Sequence, residues 1–207
     1  MPERRPDEEP PTRSVAYARR LEHEGGKWWK RWLDVQAPYR WNLRRLEPGF
    51  VLDVGCGLGR NLAHLDGNGV GIDHNPACLD AARARGLSVY APDDFAASPD
   101  ARPERFDSLL ASHVLEHLPA DDAADLLATY LPYVKADGRV IVITPQEAGQ
   151  RSDPTHVTYF DPERTGRVLA ELGWRVRREQ SFPLPRAAGR VFRHNEFVVV
   201  AERDPAA

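Results

Sequence analysis

The sequence has only two cysteines, Cys56 and Cys78, in 207 residues. They form no CxxC pair and are too few for a disulfide framework, which excludes a disulfide-stapled scaffold and fits a reducing, cytoplasmic setting. No stretch approaches the roughly 18 apolar residues that a membrane-spanning helix needs. Positive excess is missing too: 28 Lys and Arg stand against 31 Asp and Glu, a formal net charge of −3. No global positive field is available to draw in a nucleic-acid backbone, which argues against a nucleic-acid partner. Lysine is nearly absent (Lys27, Lys30 and Lys135), a compositional bias without functional content. The opening MPERRPDEEPPTR lacks the apolar centre of a secretory signal, and its charge and proline content predict a disordered tail over residues 1–13.

What is present is the composition of a soluble globular domain, 42% hydrophobic and 29% charged. Residues 14–47 read as an N-terminal helical cap, broken at Gly25-Gly26 and again near Pro38. Four of the five tryptophans, Trp28, Trp29, Trp32 and Trp41, lie in that cap among Lys27, Lys30 and Arg31. They either bury one face of an amphipathic helix or close over a bound ligand. From residue 48 the pattern becomes alternating strands and helices. Strands are predicted at 50–55, 69–73, 87–91, 106–112, 139–145, 174–178 and 196–202, and helices from 60, over 75–85, within 121–134 and over 163–172. Short β-branched runs separated by helices predict an α/β fold, a mostly parallel sheet with helices on both faces. The loop SFPLPRAAGR between the final two strands predicts an antiparallel pair at one edge. The segment 144–160 reads as a loop.

The run VLDVGCGLGR (51–60) spends three glycines in five positions at the end of a strand. A dinucleotide fingerprint would need its third glycine at position 60, where Arg60 stands, so a nicotinamide-dependent oxidoreductase fits poorly. Asp53 sits just before the turn, where a carboxylate is poorly placed beside a pyrophosphate but well placed beside a cationic ligand. Asp53-Val54-Gly55-Cys56-Gly57-Leu58-Gly59 resembles the first motif of the class I S-adenosylmethionine-dependent methyltransferases, D/E-x-G-x-G-x-G. The resemblance implies a Rossmann-like sheet and S-adenosylmethionine as cofactor. It places cofactor contacts at Asp53, Gly55, Cys56 and Gly57, and at Asp73 and His74 after the second strand. Asp94 and Phe95 after the third, and Ser112 and His113 after the fourth, complete the set. Asp73 would accept from the two ribose hydroxyls, although it also competes with Asn75 as a helix cap.

SHVLEHL (112–118) carries the chemistry-bearing side chains. On a helix, His113, Glu116 and His117 would share one face. The segment is similar to the E-x-x-E-H of the ubiquinone-biosynthesis O-methyltransferases, with His113 in place of the first acid. Three readings stand open: His113 or His117 as general base, Glu116 and His117 holding a metal such as Mg2+, or a structural helix start. HVLEH also spells the inverted zinc-peptidase pattern, but Pro119 and the preceding buried strand deny it a continuous helix. Asp153 and His156, in a loop rich in polar residues, are further candidates for base or metal partner. Together these imply O-methylation of a hydroxyl on a small-molecule or saccharide acceptor. The alternative is a catalytically silent, cofactor-holding partner subunit. A homodimer is compatible with either.

Overall fold

The computed structural model describes residues 36–205. The tail, the Gly25-Gly26 break, and Trp28, Trp29 and Trp32 lie outside the described residues. Helix α1 spans Ala37–Arg45, with Pro38 in its first turn. There the missing N–H leaves no bond unmade, so this proline suits a helix start, which falls where the break near Pro38 was expected. Strand β1 (Val51–Val54) leads through the glycine turn to α2 (Arg60–His64). Next come β2 (Gly69–Ile72), α3 (Pro76–Ala84), β3 (Val89–Tyr90) and α4 (Pro92–Ala96). Strand β4 (Phe106–Ser112), α5 (Ala120–Tyr130) and β5 (Val134–Pro145) follow. The chain closes with α6 (Glu147–Ser152), α7 (Pro162–Glu171), β6 (Trp174–Phe182) and β7 (Glu196–Arg203).

The seven strands form one sheet in the order β3-β2-β1-β4-β5-β7-β6. The first five run parallel, while β7 pairs antiparallel with both β5 and β6. Period-two alternation divides the core. Leu52, Val54, Leu109, Ala111, Val140 and Val142 face one layer. Val51, Leu110, Ile141, Ile143, Val198 and Val200 face the other. Both faces are covered, so these strands read as continuous apolar runs. Among the described residues no helix is long and apolar enough to cross a membrane.

Several elements differ from the sequence expectation for local reasons. The third strand keeps only Val89–Tyr90 because α4 begins at Pro92, with Asp93 and Asp94 in its first turn. Proline first and acids next is a helix-start signal, not a loop. The helix expected within 121–134 forms over Ala120–Tyr130 and is followed by a short 3-10 turn, Leu131–Tyr133, around Pro132. The 144–160 segment is not all loop: it contains α6. At Gly149 of that helix a Cβ would stand 2.7 Å from the Arg193 carbonyl oxygen, so the glycine is there for packing. The loop expected between the last strands is shortened, because β6 continues to Phe182 and Arg186–Arg190 forms a 3-10 turn.

Candidate active site

The chain turns to opposite sides of the sheet from β1 and β4, which are neighbours. Such a switch point opens a crevice beyond the carboxyl ends of the parallel strands, where ligands bind in open α/β sheets. The glycine turn lies on this edge. Gly55 has φ +73°, and a Cβ there would lie 2.6 Å from Val114 Cγ2, so no larger residue fits without moving the loop after β4. The N–H groups of Gly55 and Cys56 both donate to the Ile72 carbonyl, pinning the turn to β2. Cys56 does not offer its thiol to the crevice. Its Sγ packs beneath the turn against β2, where a Cβ on Gly71 would come within 2.6 Å of it.

Asp53 is fully buried under this turn. Its Oδ1 has only a long hydrogen bond, 3.4 Å from Asn61 Nδ2, and among the described residues its Oδ2 has no partner. Burial raises its pKa to about 7, only partly opposed by Asn61 and reinforced by the nearby Asp73. A buried acid with an unsatisfied oxygen is costly, and such exceptions mark sites that a ligand completes. Asp73 is better held: Oδ2 accepts from Gly57 N at 2.7 Å and Oδ1 from Asn75 N at 2.8 Å. The cap of α3 is Asn75, whose Oδ1 accepts from Ala77 N and Cys78 N. Asp73 therefore ties the glycine turn to the loop after β2 and is not spent on capping. His74 is exposed on the loop after β2, and Asp94 is exposed in the first turn of α4. Phe95 departs from expectation. It is 1% exposed and packs its ring against Tyr90, Phe106, Tyr130 and Tyr133, in the core rather than the crevice.

At the end of β4, Ser112 is half-buried and His113 follows with φ +57°, outside the short 3-10 turn Leu115–His117. The common helical face expected for His113, Glu116 and His117 therefore does not form. His113 Nδ1 lies 3.0 Å from Glu116 Oε1 and its Nε2 lies 2.8 Å from Glu196 Oε1. A carboxylate only accepts, so both ring nitrogens donate and the ring is an imidazolium. Desolvation opposes that charge, but the two carboxylates outweigh it and carry the His113 pKa above its ordinary value. Burial likewise pushes Glu116 up, and His113 outweighs it and holds the carboxyl below its ordinary value. His113 cannot act as the general base while so paired. Glu196, at the start of β7, carried no signal in the sequence.

His117 turns the other way, toward the segment after α6. That segment is fastened by two N–H donors, Val157 and Thr158, on the Glu116 carbonyl oxygen. Asp153 Oδ1 accepts from Thr155 N and from Thr155 Oγ1, at 3.0 and 2.7 Å. With its proton given to Asp153, the Thr155 hydroxyl can only accept from His117 Nδ1, 3.0 Å away. The Thr155 carbonyl, 3.3 Å from the same nitrogen, also requires an Nδ1–H. This leaves Nε2 as the basic nitrogen of His117. His156 Nδ1 faces the Gln150 carbonyl at 3.2 Å, which likewise calls for an Nδ1–H. The two rings meet edge to face with centroids 4.8 Å apart. Burial depresses the His117 pKa, so the ring is neutral near pH 7. Asp153 is thus linked to His117 through the Thr155 hydroxyl.

Residues 21–181 match the family model described as a methyltransferase domain, and the chain belongs to that family, the class I S-adenosylmethionine-dependent methyltransferases. No curated protein matches the sequence. Among solved structures it is similar to a SAM-dependent methyltransferase from Archaeoglobus fulgidus, with TM-score 0.64 and 20% identity over 86% of this chain and 100% of that one. It is also similar to the magnesium protoporphyrin IX methyltransferase of Synechocystis PCC 6803 with bound SAH, with TM-score 0.65 and 15% identity over 93% and 96% of the two chains. The 1,6-didemethyltoxoflavin-N1-methyltransferase of Burkholderia thailandensis, with bound 1,6-didemethyltoxoflavin and S-adenosylhomocysteine, gives TM-score 0.57 and 22% identity over 98% and 94%. At these identities the likeness is one of fold.

Proposed function

We propose that this enzyme methylates a hydroxyl group of a small, polar acceptor of the saccharide class. The carrying observation is the Asp153–Thr155–His117 relay, which fixes a neutral imidazole with its basic nitrogen at Nε2. A hydroxyl must shed its proton as it attacks, so an oriented base is useful to it, whereas a neutral amine attacks with a lone pair it already has. S-adenosylmethionine, when bound, supplies a methyl group on a sulfonium sulfur that departs as a neutral thioether. Asp73, steadied by Gly57 and Asn75, keeps lone pairs for two vicinal ribose hydroxyls. Asp53 supplies negative charge beneath the turn for the cationic end, and its unpartnered Oδ2 is the observation that fits this cofactor. Gly55, Gly57, Ser112 and His113 border that end, His74 the ribose side, and Asp94 the adenine amino group. His117 Nε2 receives the hydroxyl proton, and the Thr155–Asp153 pair stabilises the imidazolium that results. Gln150 Oε1, buried and without a partner among the described residues, suits an acceptor that donates from its own hydroxyls.

The test is methyl-labelled S-adenosylmethionine offered with mono- and disaccharides, phenols, amines and thiols. Label should enter a hydroxyl, and His117→Ala should lower that turnover at least about tenfold while S-adenosylhomocysteine affinity stays unchanged. Transfer confined to amines or thiols, or full turnover in the variant, would overturn the proposal.

A further inference from the structure

Glu116, His117 and His156 bring together one carboxylate and two imidazoles, a donor set that suits the Mg2+ expected from the sequence resemblance poorly. Proton transfer to His117 needs no cation there. Outside that pocket, the segment 183–195 between β6 and β7 combines features that catalysis leaves unused. We propose that this segment docks the enzyme on an anionic lipid surface, with the mouth of the crevice turned toward the bilayer.

Exposed apolar surface is concentrated on it. Among the described residues five large hydrophobic side chains are exposed, and Leu184, Val191 and Phe192 are three of them, Val191 at 85%. A fourth, Trp41 of α1, stacks on Phe182 at the base of the segment, with ring centroids 6.4 Å apart. Scattered singly, such side chains need no explanation; gathered on one loop, they mark a contact surface. Positive charge is concentrated in the same place. No Asp or Glu stands between Glu179 and Glu196, whereas Arg186, Arg190 and Arg193 do. Glu147 of α6 pairs with Arg186. Arg151 of α6 donates to the Arg190 carbonyl oxygen at 3.0 Å, and among the described residues Arg151, Arg190 and Arg193 have no carboxylate partner. Three uncompensated charges therefore surround Val191 and Phe192 on a chain whose net charge is −3. Exposed charges more than about 8–10 Å away are largely screened at physiological salt, so the local sign decides.

The segment is held from beneath. Asn195 Nδ2 donates to Gln146 Oε1 and to Ser181 Oγ, and its Oδ1 accepts from Leu184 N at 2.9 Å. A Cβ on Gly189 would overlap the Gln146 amide, and the Tyr39 hydroxyl donates to the His194 carbonyl at 2.8 Å. A preformed prong loses little freedom on docking. Its size decides the partner. A protein interface takes about 20–30 residues a side, far more than these apolar tips and arginines. A bilayer needs less: apolar tips enter between headgroups while arginines stay level with the lipid phosphodiesters, each contributing about fivefold in affinity. The segment leads into Glu196, which reaches His113 in the crevice at 2.8 Å, so docking sets the crevice mouth against the membrane. The use of this docking rests on the proposed function: a saccharide carried on a lipid presents its hydroxyl to His117 from that side.

The experiment reads binding and does not need turnover. The full chain is sedimented with vesicles of phosphatidylcholine alone or with about one-third phosphatidylglycerol. It should bind only the anionic vesicles, and about 0.5 M salt should release it. The double variants Arg190→Glu/Arg193→Glu and Val191→Ser/Phe192→Ser should each weaken binding at least about tenfold. Their melting temperatures and S-adenosylhomocysteine affinities should stay unchanged, because the altered side chains point into solvent. No binding to anionic vesicles, or binding that survives either double variant, overturns the docking surface. Equal affinity for soluble polyglutamate, insensitive to Val191→Ser/Phe192→Ser, would mean an acidic protein partner and would overturn it as well. A vesicle-binding enzyme that methylates only amines would overturn the hydroxyl-acceptor proposal and leave the docking surface standing. Hydroxyl transfer by a chain that ignores vesicles would do the opposite.

Discussion

Asp53→Asn should make the ligand-free protein more stable and the cofactor complex weaker. In the folded chain the Asp53 carboxyl titrates at about 7 instead of 3.8, chiefly because it is buried. Between those values the native state holds a proton that the unfolded chain has lost, so stability falls as pH rises through that window. The penalty is absent below about pH 4 and complete above about pH 7. Asparagine keeps the shape and removes the charge. Its unfolding free energy should exceed the parent's by about 1–3 kcal/mol at about pH 8 and match it near about pH 4. Binding should move the other way. Losing a charged partner for the cationic end should weaken S-adenosylmethionine about ten- to a hundredfold. Urea melts at the two pH values, with a calorimetric titration of each protein, check both halves. Equal stability at all pH values would mean that Asp53 is not held as a buried, partnerless acid.

Phe95→Ala should cost about 3–5 kcal/mol of stability, the usual range for deleting a fully buried aromatic ring. The four rings around Phe95 belong to β3, β4, α5 and the 3-10 turn after it, so the cavity opens where four elements meet. A milder Phe95→Leu keeps much of the volume and should leave cofactor affinity unchanged, because the ring faces the core. Thermal melts measure the first effect and S-adenosylhomocysteine titration the second. A well-folded Phe95→Leu that binds the cofactor weakly would put the ring back in the crevice.

The parts of the molecule that were legible in the sequence are those written in local pattern. Val51–Val54 followed by three glycines gives the strand and its turn, because only glycine tolerates both the positive φ and the approach of Val114. Asp73, Asn75 and Pro76 give the end of β2 and the start of α3 in four residues. What escaped is long-range. His117 and His156 stand 39 positions apart, and the N–H bonds from Val157 and Thr158 to Glu116, with the Thr155 contacts to His117, bring them together. Glu196 reaches His113 from 83 residues away through the antiparallel placement of β7 beside β5. Phe95 was misplaced by a different failure: Pro92 and the two acids after it announced a helix, and one turn of helix rotates residue 95 from crevice to core.

The central claim is that the edge of the sheet at β1 and β2 holds a cationic adenosine derivative through buried negative charge. Titration of the purified chain with S-adenosylmethionine, alongside NAD, tests it most directly. A single site for S-adenosylmethionine that weakens as pH drops below about 7, where Asp53 gains its proton, is the expected result, with no heat from NAD. Saturable NAD binding with none for the sulfonium would contradict it.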